Sequence, residues 1–225
     1  MKYDKIKELK YKNFQQILVK DVNILVRELK YSAKLTGESL LMYEFKIIAK
    51  LRKEAFSDKD IRKMVLEENL FQYKFKSSIS RRLTPLVQRI NLIDDNLIDM
   101  LLVDPLGDGL IINLYSIMKN DRLFFEFMNE VVRERISTND LYLDKKDINV
   151  FIVEKKEQSE AVDKWTDETI AKIKQVIFKI LSEVGMLADK KAGKLSRLII
   201  SPEIKDYLIS IGDKGYIQAM GEHIR

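Results

Sequence analysis

Apolar residues recur at helical spacing along most of the chain. Between residues 38 and 55, Leu41, Phe45, Ile48 and Ala55 make one row and Leu40, Ile47 and Leu51 a second, so a helix here carries two apolar faces and belongs at the centre of a fold. Ser57 then reads as an N-cap, with Asp58 and Asp60 in the first turn of a helix that runs to Glu68. The next helix begins at Ser77 or Ser78. Its apolar residues Ile79, Leu83, Leu86, Val87 and Ile90 fall on one side; Ser77, Arg81, Thr84 and Gln88 project from the other, with Arg82 and Arg89 flanking. Pro85 either kinks this helix or, with Thr84 as cap, opens a new one at its first position.

Further along, Leu123, Phe124, Phe127, Met128 and Val131 mark an amphipathic helix from Asp121 to Ile136. Thr166 caps the best-defined element: Asp167 and Glu168 occupy its first turn, Ile170, Ile173, Ile177, Ile180 and Val184 its buried face, and Gly185 its end. A hairpin follows, with strands Met186–Ala188 and Leu195–Ile200 around a turn at Asp189–Lys194. Ser201 and Pro202 open a last helix reaching Ile211.

With three prolines and eight glycines in 225 residues, loops are short and helices dominate. The predicted fold is mostly α: a helical bundle with winged-helix-like (helix-turn-helix) N- and C-terminal modules and a short β-hairpin wing. The expected division is an N-terminal basic helix-turn-helix-like module, 1–105, and a C-terminal helical module with a winged-helix-like end, 106–225. The absence of cysteine excludes disulfides and thiolate metal sites and fits a reducing compartment. Charges interrupt every apolar run, so no membrane span is expected and a cytoplasmic location follows.

Charge then singles out one region. Residues 1–90 carry 21 Lys and Arg against 11 Asp and Glu, although the whole chain is only +5. Leu70–Ile93 holds Lys74, Lys76, Arg81, Arg82 and Arg89 and no acidic residue. Such a surface faces a polyanion, and nucleic acid is the first candidate. Arg grips phosphates and guanine edges, Gln pairs with adenine, and the hydroxyls of Ser77, Ser78 and Ser80 add phosphate contacts. Tyr73 and Phe75 alternate with Lys74 and Lys76, a pattern shared by single-strand stacking surfaces and by core aromatics beside outward lysines. In the second module Thr166, Thr169 and Lys172 on the capped helix, with Lys190, Lys191, Lys194 and Arg197 at the wing, are the matching candidates.

Enzyme signals are weak. Glu154 and Lys156, with Asp144 or Asp147 upstream, have the spacing of a metal-dependent nuclease if Phe151–Lys156 is a strand. Asp94, Asp95, Asp99, Asp104 and Asp108 lack calcium-loop spacing, and the only histidine, His223, cannot build a triad. No catalytic residue, metal site or cofactor is assigned.

The run from Leu35 to Ile90, LTGESLLMYEFKIIAKLRKEAFSDKDIRKMVLEENLFQYKFKSSISRRLTPLVQRI, resembles the N-terminal half of the BrxA family, a small component of BREX bacteriophage-exclusion systems. The resemblance continues in order through LYSIMKNDRLFFEFMNEVVRERI, DINVFIVEKKEQ and WTDETIAKIKQVIFKILSEVGML. It implies a mostly helical, non-enzymatic protein that binds double-stranded DNA and works beside other BREX proteins. An assembly subunit with incidental nucleic-acid affinity is the alternative, and RNA binding of the antitermination-factor type a third.

Overall fold

The computed structural model describes Val22, Val26 and residues 28–37, 39–103, 107–189 and 193–224. Helix α1 (Met42–Lys53) is shorter than the expected 38–55, with Leu40, Leu41 and the exposed Ala55 outside it, and is enclosed by α2 (Asp58–Glu67), α3 (Lys76–Ile90), α4 (Asp95–Val103) and α5 (Asp108–Asn120). Phe45, Ile48 and Ala49 of α1 are fully buried. Ser57 caps α2 by accepting from the Asp60 amide. Pro85 is accommodated inside an unbroken α3; it opens no new helix, although the bond that the Arg81 carbonyl would accept is lost.

The most deeply buried helix is one the sequence pattern does not announce. In α5 every residue from Ile111 to Met118 is buried, Asn113 and Ser116 included, so its apolar positions are not confined to one face. Gly109 permits the close approach, since a Cβ there would lie 2.7 Å from Met42 Cε. Several polar groups of α5 find partners inside the fold, although the Asn120 side-chain nitrogen is buried without one among the described residues. Asn113 Nδ2 donates to the Leu40 carbonyl at 2.7 Å, the Tyr115 hydroxyl donates to Asp213, and Lys119 Nζ reaches Asp213 at 2.9 Å. These bonds tie α5 to the segment before α1 and to the turn at Asp213.

The predicted helix 121–136 is present with an irregularity: α6 (Arg122–Phe127) passes through a π turn at Met128–Val132 into α7 (Arg133–Ser137). Asp121 caps it through the Phe124 amide. Beneath the π turn, Lys155 of α8 (Lys145–Gln158) is only 3% exposed and pairs with Glu126 at 2.9 Å and Glu130 at 2.8 Å. Burial pushes the Glu126 carboxyl up, but hydrogen bonds from Tyr31, Arg122 and Lys155 outweigh it and hold the carboxyl below the usual range. After the short α9 (Glu160–Asp163), α10 (Asp167–Glu183) packs on a 3-10 turn at Ala33–Gly37, and the Leu40 amide donates to Glu183.

The hairpin is shorter than its sequence suggests: β1 (Leu187–Asp189) pairs antiparallel with β2 (Lys194–Leu195), and residues 196–200 are not strand. The outer side of β2 is occupied as well. Tyr142 bridges Lys194, and Leu195 N donates to the Leu141 carbonyl at 2.9 Å. Helices α11 (Pro202–Ser210) and α12 (Lys214–Ala219) complete the fold. One apolar cluster runs from Val22 to Met220 and includes residues on both sides of position 105.

Candidate nucleic-acid interface

Helix α3 presents its polar face as the spacing predicts. Ser77, Ser80, Arg81, Thr84 and Gln88 are exposed, whereas Ile79, Leu83, Leu86, Val87 and Ile90 are buried. Lys74 and Lys76 are exposed beside its first turn; Ser78 and Arg82 are half-buried. Lys76 and Arg81 make no ion pair among the described residues, so their charge is available to an external anion.

Arg89 is the exception and corrects the expectation drawn from charge alone. It is fully buried: Nη1 donates to the Ser39 carbonyl at 3.2 Å and to Asn113 Oδ1 at 3.3 Å, and the guanidinium lies 5.4 Å from the Phe45 ring centroid. Two residues after Val87 and one before Ile90, it falls on the buried side of α3, where partners from the segment before α1 and from α5 take its head. In this fold it cannot reach a polyanion.

The connection between α2 and α3 is held by side chains. Asn69 and Gln72 both have positive φ, 51° and 56°. Asn69 Nδ2 donates to the Tyr73 carbonyl and Asn69 Oδ1 accepts from the Tyr73 amide, each at 3.0 Å. The Tyr73 ring is half-buried, 5.7 Å from Phe71, with the Arg82 guanidinium 4.8 Å from its centroid. Its hydroxyl is pushed up to about 12 by burial and by donation to Glu44. Tyr73 therefore supports the loop, and of the two alternating aromatics only Phe75 is exposed.

Sequence reasoning missed the residues that α1 and α2 bring to this surface. Arg62 Nη1 donates to Thr84 Oγ1 at 3.0 Å, which adds a cation to the α3 face from 22 residues away. Tyr43 of α1 is exposed, and its hydroxyl accepts from Gln72 Nε2 at 3.2 Å. The exposed side of α2, with Lys59 and Lys63 around Arg62, was the signal available for the first.

Several members of the second candidate set are engaged in contacts of their own. Thr166 caps α10 through the Thr169 amide, and Lys172 Nζ donates to Gln175. The hairpin turn folds back along the same helix: Gly193, next to Lys194, lines a cavity with Ala171, Lys174 and Gln175. Arg197 Nη2 donates to the Ile136 carbonyl at 2.9 Å, so this guanidinium is spent on the end of α7. Lys190 and Lys191 lie outside the described residues.

The nuclease arrangement fails on geometry. Glu154 and Lys156 sit on α8, not at the end of a strand, and Asp144 and Asp147 form its capping box. Among the described residues no three acidic or histidine side chains converge as a metal site, and no helix is long and apolar enough to cross a membrane.

The profile of the family described as BrxA matches residues 29–212. A Bacillus cereus protein named BREX protein BrxA is 32% identical over 197 residues, covering 87% of this chain and 98% of its own length. A second protein of that name, from Paramagnetospirillum magneticum, is 25% identical over 80% of this chain and 91% of its own. The crystal structure of an uncharacterized protein from Magnetospirillum magneticum superposes with a TM-score of 0.75 at 24% identity, covering 85% of this chain and 98% of that one, a likeness of fold.

Proposed function

The chain belongs to the BrxA family of BREX phage-defence components, and from that premise we propose that it is a non-enzymatic protein that binds duplex DNA chiefly through phosphates. The observation that carries this reading is the exposed, unneutralised set Lys74, just before α3, and Lys76 and Arg81 on it, beside the exposed Ser77 and Ser80 hydroxyls. Arg82 and Arg62 add charge at its margin. Phosphate contacts of this kind fix a protein on the duplex and carry little sequence information.

Fluorescence anisotropy on duplex DNA, single-stranded DNA and duplex RNA across a salt series tests the proposal. Duplex affinity falls steeply with salt, and Arg81→Glu with Arg82→Glu abolishes it. Binding that ignores salt, or that survives the double charge reversal, would remove this surface from the function. An assembly role among other BREX proteins would then be the better account, since the acidic second half offers a contrasting surface.

A further inference from the structure

Burial sorts the phenylalanines of this protein. Phe45, Phe71, Phe124, Phe125, Phe127 and Phe151 are all buried, and Phe75, at 61% exposure, is the one exposed phenylalanine among the described residues. A phenyl ring left in water forgoes the stabilisation that those six buried rings obtain. Its placement is nevertheless fixed. Phe75 is extended, with φ −121° and ψ 125°, immediately before the first turn of α3 and two residues after the backbone that Asn69 clamps. Lys74 Nζ is 5.5 Å from its ring centroid, and Lys76 follows it into solvent. The exposed Tyr43, bonded to Gln72, stands by the same loop.

A ring with one ammonium group beside it and a second exposed lysine next in the chain matches a nucleotide: the base covers the ring and its phosphate meets a lysine. An apolar protein surface would match the ring and strand both charges. In continuous duplex the base faces are already stacked on one another, so the ring can use one only where pairing is interrupted. We propose that Phe75 stacks on an unpaired base and that this surface prefers DNA with locally unpaired nucleotides over continuous duplex. The inference rests on the DNA-binding reading above.

The test compares a continuous duplex with the same duplex carrying a central mismatched bubble labelled with 2-aminopurine, at one salt concentration, for the wild type, Phe75→Ala and Phe75→Trp. The wild type binds the bubble roughly ten-fold more tightly and quenches the label. Phe75→Ala binds both DNAs at the duplex level, and Phe75→Trp keeps the preference. Equal wild-type affinities with duplex binding intact would overturn the stacking role alone, as would a preference that Phe75→Ala retains. Loss of binding to both DNAs by the wild type would overturn the DNA-binding reading and this inference with it. If Phe75→Ala leaves both DNA affinities unchanged but weakens capture of other BREX proteins, the ring belongs to a protein contact and the proposal fails.

Discussion

Asn69 holds the backbone of Tyr73 at both of its polar groups, donating to the carbonyl and accepting from the amide at 3.0 Å each. A side chain thus supplies what a neighbouring strand would supply, and it does so from a residue that is itself in the left-handed region. Together with the bonds of Tyr73 to Glu44 and of Gln72 to Tyr43, this clamp holds the loop that leads into α3 and places Lys74 and Phe75.

Asn69→Ala removes both bonds and leaves a side chain poorly suited to positive φ. Two hydrogen bonds and the strain together make the loss about 2 kcal/mol in urea unfolding. Asn69→Gly loses the bonds but adopts the conformation readily, so it is the milder variant. Equal losses for the two would mean that the left-handed geometry contributes nothing.

Arg89→Ala empties a fully buried site and takes a donor from the Ser39 carbonyl and from Asn113. The expected loss is about 3 kcal/mol or more. Arg81→Ala, about two turns away on the exposed face, changes stability by less than about 0.5 kcal/mol and weakens DNA binding instead. Thermal unfolding and anisotropy on the same two proteins separate the roles; a stable Arg89→Ala protein with weakened binding would contradict the assignment.

Glu126 gives the fold an acid sensitivity. Its carboxyl is held below the ordinary value in the folded state, so the unfolded chain takes up the proton first as pH falls. The stabilisation is complete above the ordinary carboxylate range, near about pH 4.3, and is lost as pH drops through the lower folded value. Unfolding free energy measured in urea at pH 7 and pH 3.5 declines for the wild type, and by less for Glu126→Gln. Parallel declines would show that the ion pair with Lys155 does not set this response.

Thr166 separates a structural role from a binding one. As the cap of α10, its replacement by alanine costs about 1 kcal/mol, while Thr166→Asp keeps the cap and the stability. If Thr166 also touches phosphate, the aspartate variant binds duplex DNA more weakly than the alanine variant despite being the more stable. Equal affinities would leave Thr166 as a cap only.

The sequence by itself determined the helices that carry an amphipathic period or a cap: α1, α2, the exposed face of α3, and α10 between Thr166 and Gly185. Capping and periodicity act within a few residues of one another, so they are written locally and can be read locally. The acid-free stretch around Lys76 and Arg81 was visible for the same reason. Tertiary structure alone decided what depends on distant neighbours. Helix α5 lacks a polar face because α1, α3 and α4 cover its sides, and uniform burial erases the period that would have announced it. Arg89 turns inward because Ser39 and Asn113, 50 and 24 residues away, receive its guanidinium; its charge looked identical to that of Arg81 until those partners were placed. Likewise the pairing of Tyr142 with Lys194 covers a hairpin edge that the hairpin's own residues would leave open. Burial of a polar group is settled by who satisfies it, and that is a property of the folded chain rather than of any segment of it.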